Sequence, residues 1–360
     1  MPNAELLGKF QEMFLLRPVG LMIALTVACA LAQPPSPESV SNRWVAFNQA
    51  DVGIRLGLFD RGRGTPLSKQ AQHQELFQGA FRIDADGKYT VRATLANGDD
   101  FAAGWGDTGA GSAASYRLYL KQLYFSARPV KGIEFQYGAI GVERGASSWV
   151  ASYAGDAYIT GGRIVLRRPE TLFFDTVSFT KAYLGDLKAP SAFGRFHRLG
   201  QSNYQQFLVG KNVGQRIKLS ADYTNQWGIK TIREAMWFDT RGSKVLSAVQ
   251  VDFYQRTNLR RSSGFNLGGE KAVTRRTTFS GGFAAIDRDY GDLNDNAFFH
   301  GNRAYAAVRL RVTQTLTVSA LLTRAVGSSD LNPNRTHFNV ALQYDLLGPL
   351  GRMGFFGGRR

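Results

Sequence analysis

Arg309 and Arg311 lie two positions apart in a run whose alternate residues, Ala304, Ala306, Val308, Leu310 and Val312, are apolar. In an extended chain that spacing sends both guanidinium groups to one face. Fixed positive charge on such a face favours anions wherever the face borders a confined aqueous space. Other candidate chemistry is weaker. Gly104-Trp105-Gly106-Asp107-Thr108-Gly109 has the glycine spacing of a dinucleotide-binding turn. No amphipathic helix follows it, and a phosphate needs that helix N-terminus, so no cofactor is expected. The acidic series Asp287, Asp289, Asp292 and Asp295 offers oxygen ligands without EF-hand spacing and reads as a solvated loop. His73, His197, His300 and His337 form no pair at zinc spacing, so no metal is expected. His337 shares its alternation with Asn339, but no serine is tied to them by sequence; the reading is therefore not an enzyme.

The arginine pair belongs to a pattern that runs the length of the chain. Val52, Ile54, Leu56 and Leu58 alternate with Gly53, Arg55 and Gly57, and Phe77, Gly79, Phe81 and Ile83 alternate with Gln78, Ala80, Arg82 and Asp84. An Asp86-Gly87 turn then leads into Tyr89, Val91, Ala93 and Leu95, with Arg92 on the opposite parity. The same period recurs over Ile133 to Ala139 with Glu134 opposed, over Ile217 to Thr224 with Lys218 and Asp222 opposed, and over 303–312, 316–323 and 337–346. Less regular strands are expected near 116–127, 158–167 (with Arg163), 172–183, 203–210, 230–238, 245–254, 262–269 and 277–286. The total is about 16 strands of roughly ten residues. Short links near 85–88, 128–132, 167–171, 211–214, 239–243, 268–274 and 313–315 alternate with longer ones at 97–114, 145–156, 184–202, 287–299 and 326–334. One end thus carries turns and the other loops. Pro66, Pro129, Pro169, Pro190, Pro333 and Pro349, which cannot donate to a ladder, all fall in connections or the tail.

The 360 residues include 40 glycines, 12% aromatics and a formal charge of +16, too apolar and aromatic for a disordered chain. The basic residues are spread along strands without a recognition module, so no nucleic acid is expected. Val19 to Ala32, behind Lys9 and Arg17, reads as the core of a signal peptide over residues 1–32, shorter than the roughly 20 residues of a spanning helix. Cys29, the single cysteine, leaves with it, which excludes disulfide scaffolds and thiolate sites from the mature chain. A linker follows at 33–42, the strand region spans 43–347, and a tail covers 348–360. Trp44, Phe47, Phe59, Trp149, Tyr153, Tyr223, Trp227, Trp237 and Phe238 cluster near strand ends, where interfacial girdles would lie.

Alternating ten-residue strands, turn and loop asymmetry, a cysteine-free mature chain and a final amphipathic strand from Phe338 to Leu346 together resemble a Gram-negative outer-membrane porin. Leu120 to Ser126 followed by Gly132 to Gly138 is similar to a hairpin seen in several porin families. Porins usually close on an aromatic residue, whereas here Gly348 to Arg360 follow the last strand. The resemblance implies an all-β transmembrane antiparallel barrel with short periplasmic turns and long extracellular loops, embedded in outer-membrane lipid and lipopolysaccharide, as a homotrimer. It implies passive diffusion of small polar solutes, and the charge surplus adds a mild anion preference. The expected pore-lining residues are Arg55, Arg82, Arg92, Arg163, Lys218, Arg303, Arg309 and Arg311, with Glu134 and Asp222. The third long loop, 145–156, is the candidate to fold inward. A non-conducting structural or adhesive barrel and a soluble exported β-rich binding protein are the alternatives.

Overall fold

Strands with one apolar and one polar face must either stack as two sheets or curl until the sheet meets itself, and this chain curls. The computed structural model describes residues 40–41, 44–60, 68–110, 113–151, 153, 157–167, 173–258, 262–290, 298, 300–327 and 336–352. The expected signal peptide lies outside them. A two-residue strand, Val40–Ser41 (β1), folds back on the first long one, Val45–Asp60 (β2), so the end of the expected linker already pairs. Ser68–Arg82 (β3), Tyr89–Ala96 (β4), the short Gly106–Asp107 (β5), Tyr119–Ala127 (β6), Ile133–Gly141 (β7), Tyr158–Leu166 (β8) and Thr176–Tyr183 (β9) follow. The second half comprises Tyr204–Val213 (β10), Ile217–Gln226 (β11), Ile229–Asp239 (β12), Ala248–Arg256 (β13), Ser262–Ala272 (β14) and Thr277–Ile286 (β15). Gly301–Arg311 (β16), Leu316–Ala325 (β17) and Thr336–Asp345 (β18) complete it.

Each long strand pairs antiparallel with its neighbours in sequence, and β18 returns to β2 from Thr336 opposite Asp60 to Asp345 opposite Asp51. Setting aside β1 and β5, the result is a closed barrel of 16 strands. The short helix Leu347–Arg352 then leaves the seam, with the Leu346 amide donating to the Ala50 carbonyl.

Register assigns the two faces, with an outer face that is mainly apolar and carries few charges, Lys181 and Glu234 among them. Phe179 lies opposite Phe207, Phe207 opposite Tyr223, and Phe253 opposite Phe265. These rings stand on the outside, exposed by 37% to 56%. Together with Phe135, Tyr137, Ile164, Leu267 and Phe279 they form an outward apolar band. Exposed apolar surface on this scale is unfavourable in water by roughly 25 cal/mol per Å², so the band calls for an apolar surrounding.

Several boundaries differ from the sequence expectation. β3 begins at Ser68, opposite Phe59, and its half from Ser68 to Leu76 shows no apolar alternation because it is largely polar on both faces: Gln70, Gln72 and Gln74 point inward while Lys69, His73 and Glu75 share the outward parity. β10 and β14 run further than expected, to Val213 and Ala272. The long-loop end also contains one minimal turn. Trp227 and Gly228 join β11 to β12 with φ of 51° and 81°, the doubly left-handed geometry that matches strand twist in a two-residue hairpin. Phe59, Trp149 and Trp237 are not girdle residues. Phe59 stacks on inward-facing His337 at 4.3 Å, Trp149 lies in a segment inside the barrel, and Trp237 pairs with Lys218 on the inner face. Their parity, not their nearness to strand ends, sets their side.

If the outward band meets lipid, an outward charge near its middle must be costly. Phe179→Arg, at a position flanked by Ile164 and Phe207 on the outer face, should destabilise the folded barrel by about 2–4 kcal/mol. Urea titration of folding into lipid vesicles would show the shifted midpoint.

Candidate functional site

The interior is organised by the segment between β7 and β8, residues 142–157. Its described part turns into the barrel and is tied to the inner faces of strands well beyond its neighbours. The Ala146 amide donates to Ser220 Oγ at 2.8 Å, and Gln250 Nε2 donates to the Ala146 carbonyl at 3.0 Å. The Ser148 amide donates to Asp252 Oδ1 at 3.2 Å, while Ser148 Oγ lies 3.2 Å from the Tyr254 hydroxyl and accepts from Asn266 Nδ2 at 3.3 Å. Asp252, fully buried, also accepts from Gln250, Tyr254 and Asn266. A buried carboxylate is tolerable because donors surround it.

A second anchor is Arg233. Its guanidinium lies 2.9 Å from Asp222 and donates to the Ala151 carbonyl at 2.8 Å, so one buried ion pair joins β11, β12 and the inward segment. Trp149 packs edge-on against Phe298 at 4.9 Å between ring centres. The loop expected at 145–156 therefore does fold inward as far as it is described; residues 152 and 154–156 lie outside the described set.

The segment between β4 and β6 also enters. Gly106 and Asp107 pair with β3, so the glycine-rich stretch forms a strand pairing and opens no helix. Trp105 lies against β2: a Cβ built on Gly53 would stand 3.2 Å from the indole and 3.0 Å from the Leu342 carbonyl. Arg55 covers the indole at 4.6 Å and donates Nε to Gln72 at 2.9 Å.

Between these segments and the opposite wall lies a cavity of about 480 Å³. Arg55, Arg144 and Arg309 line it with Trp105 and Trp149, and Glu270 is the acidic group among its lining residues. Gln74 and Gln343, joined at 2.9 Å, and Asn339 supply amides. Confinement in the lumen and the nearby Arg233 both lower the Arg144 pKa from the usual guanidinium value, and Asp252 opposes them.

The sequence-predicted residues divide sharply in this interior. Arg55 and Arg309 line the cavity. Arg311 shares the parity of Arg309 and is exposed nearer the short turns, outside the cavity lining. Lys218 is exposed over the Trp237 ring at 5.0 Å. Arg82 sits half-buried against the turn at Gly87, and Arg92 half-buried opposite Tyr124. The others are built into the wall. Arg163 is buried, donating to Thr180, Gln136 and Gly141 and lying 3.4 Å from Glu143. Arg303, also buried, donates to Thr323. Glu134 accepts from Ser126, Gln136 and Arg167 and lies 3.2 Å from Arg128; Asp222 holds Arg233.

Trp105, Arg144, Trp149 and Arg233 were not among the predicted pore residues. Trp105 sits in a stretch that reads as a loop, Arg144 just before the expected inward loop, and Arg233 in a strand too irregular to assign faces. Among the described residues no cluster of three or more His, Cys, Asp or Glu could hold a metal, and Asp287 instead accepts from Ser263.

No family model and no curated protein matches the chain. Solved structures do. The fold is similar to a substituted variant of the Rh. blastica porin (TM-score 0.53, 13% identity, 83% of this chain and 99% of that one). It is also similar to the high-pH structure of Pseudomonas putida OprB (0.54, 11%, 84% and 94%). Salmonella typhi OmpF, in complex with daunomycin, matches at 0.54 with 10% identity over 85% of this chain and all of that one. The chain has the fold of the outer-membrane porins. At these identities the likeness is one of architecture, and the site rests on this chain's own residues.

Asp252→Ala would strand the donors that converge on it, at a cost of about 1–3 kcal/mol. Backbone amides over 145–151 should then exchange with deuterium faster than in the wild type, while those of β16 to β18 keep their protection.

Proposed function

We propose that the chain is an outer-membrane channel of a Gram-negative bacterium through which small polar solutes diffuse passively, with a preference for anions. Residues 1–32 direct export, the short turns face the periplasm, the long loops meet lipopolysaccharide, and the barrel assembles as a homotrimer. It has no catalytic role and needs no cofactor. The porin fold supports the general reading. The anion preference is carried by one observation: where the inward segment narrows the lumen, Arg55, Arg144 and Arg309 share the lining with Glu270. Two further cationic groups, Lys218 and Arg311, stand exposed on the inner face outside that lining. Fixed charge in a confined aqueous path lowers the barrier for its counter-ion.

The test is the reversal potential of single channels of the refolded protein in a planar bilayer under a KCl gradient. Chloride should be favoured over potassium. Arg309→Ala and Arg55→Ala should each lower the chloride-to-potassium permeability ratio about fourfold, because one unit charge at roughly 10 Å in water changes the permeability of each ion about twofold and in opposite directions. A barrel that inserts and never conducts would establish the structural or adhesive alternative. A protein that stays in the aqueous phase would establish the soluble one.

A further inference from the structure

The cavity between Arg55, Arg144 and Arg309 is furnished beyond what charge selection requires. Two indoles border it, and each is held in place. Trp105 rests on the bare backbone of Gly53 with Arg55 against it, and Trp149 is fixed edge-on by Phe298. Rigid aromatic walls add nothing to chloride passage; they offer flat apolar surface to a solute with a ring. The guanidinium groups offer a carboxylate several donors, in the geometry that best matches its two oxygens. At about 480 Å³ the space is within the range of small-molecule sites.

From this the geometry points to a saturable binding site within the channel for small carboxylates that carry a planar apolar ring. The carboxylate would lie toward Arg144 and Arg309 and the ring between the two indoles. The inference rests on the anion-channel reading and adds the solute class to it. Such a channel conducts chloride freely at low ring-carboxylate concentration and is occupied, then blocked, as that concentration rises.

The experiment measures chloride current through wild-type channels in planar bilayers at pH 7 while sodium benzoate, sodium acetate, benzamide or glucose is added in turn. Benzoate should reduce the current along a saturating curve, and acetate should need at least about fivefold more to do the same, as one ring contact implies. Benzamide, with the ring and no charge, and glucose should leave the current unchanged over the benzoate range. Trp105→Leu and Trp149→Leu, made separately and checked for heat-modifiable gel mobility, should each cut the advantage of benzoate over acetate by roughly fivefold. The wild-type series decides the matter even if neither variant folds. Equal block by benzoate and acetate, no saturation by benzoate, or equal block by glucose would each overturn the ring-carboxylate site while chloride preference stands. Equal permeability to chloride and potassium would overturn both readings.

Discussion

Inside a hydrocarbon layer no water can complete an unpaired amide or carbonyl, so a sheet that crosses one has to close. Nearly everything else in this chain follows from that requirement. β18 meets β2 along its whole length, and the last turn of chain is fastened where Leu346 donates to Ala50. β3 and β4 show how strictly it is met. β3 is 15 residues long and β4 only eight, which would leave the upper half of β3 an open edge. Gly106 and Asp107 fill that gap, and Thr108 and Ala110 exchange backbone bonds with Ala71. The glycine-rich segment that could be mistaken for a phosphate cradle is thus a patch over an edge, and the same patch delivers Trp105 to the lumen.

Closure turns polar side chains inward, and the interior then sorts them by burial. Arg163, Arg303, Arg233, Glu134 and Asp222 are almost wholly buried and carry partners, because an uncompensated charge in that position would cost several kcal/mol. They stiffen the wall and hold the inward segment. A formal charge of +16 therefore overstates the field that a solute meets. Arg55, Arg144 and Arg309 at the narrowing weigh more in that field than a count along the chain suggests.

The strands and their faces were legible because a period of two survives even where composition is mixed. Thus 303–312 and 337–346 read directly, and the parity that places Arg309 inside is visible in the sequence alone. Legibility failed where that period carries no hydrophobic contrast. Ser68 to Leu76 alternates polar with polar, and Arg233 sits in a strand whose inner face includes Ile229 and Trp237. The inward path of 142–151 was open in the sequence for a different reason. It is fixed by Ser220, Gln250, Asp252 and Asn266, some 70 to 120 positions away, each of which reads locally as an ordinary inward polar residue. Long-range pairing of this kind has no local signature.

The turn at Trp227 and Gly228 has a consequence for how the chain can drift over generations. Most connections at that rim are longer, and adding residues to their exposed stretches costs only a slowly growing loop entropy. The two-residue turn has no such stretch. One inserted residue there has to be absorbed as a three-residue turn with a bulge, since otherwise it reverses the faces of β11 or β12, sending Asp222 or Arg233 toward the outside and Tyr223 or Ile232 within. Variation in length must accumulate around the rest of the mouth and spare this notch, leaving a fixed landmark on an otherwise changeable surface.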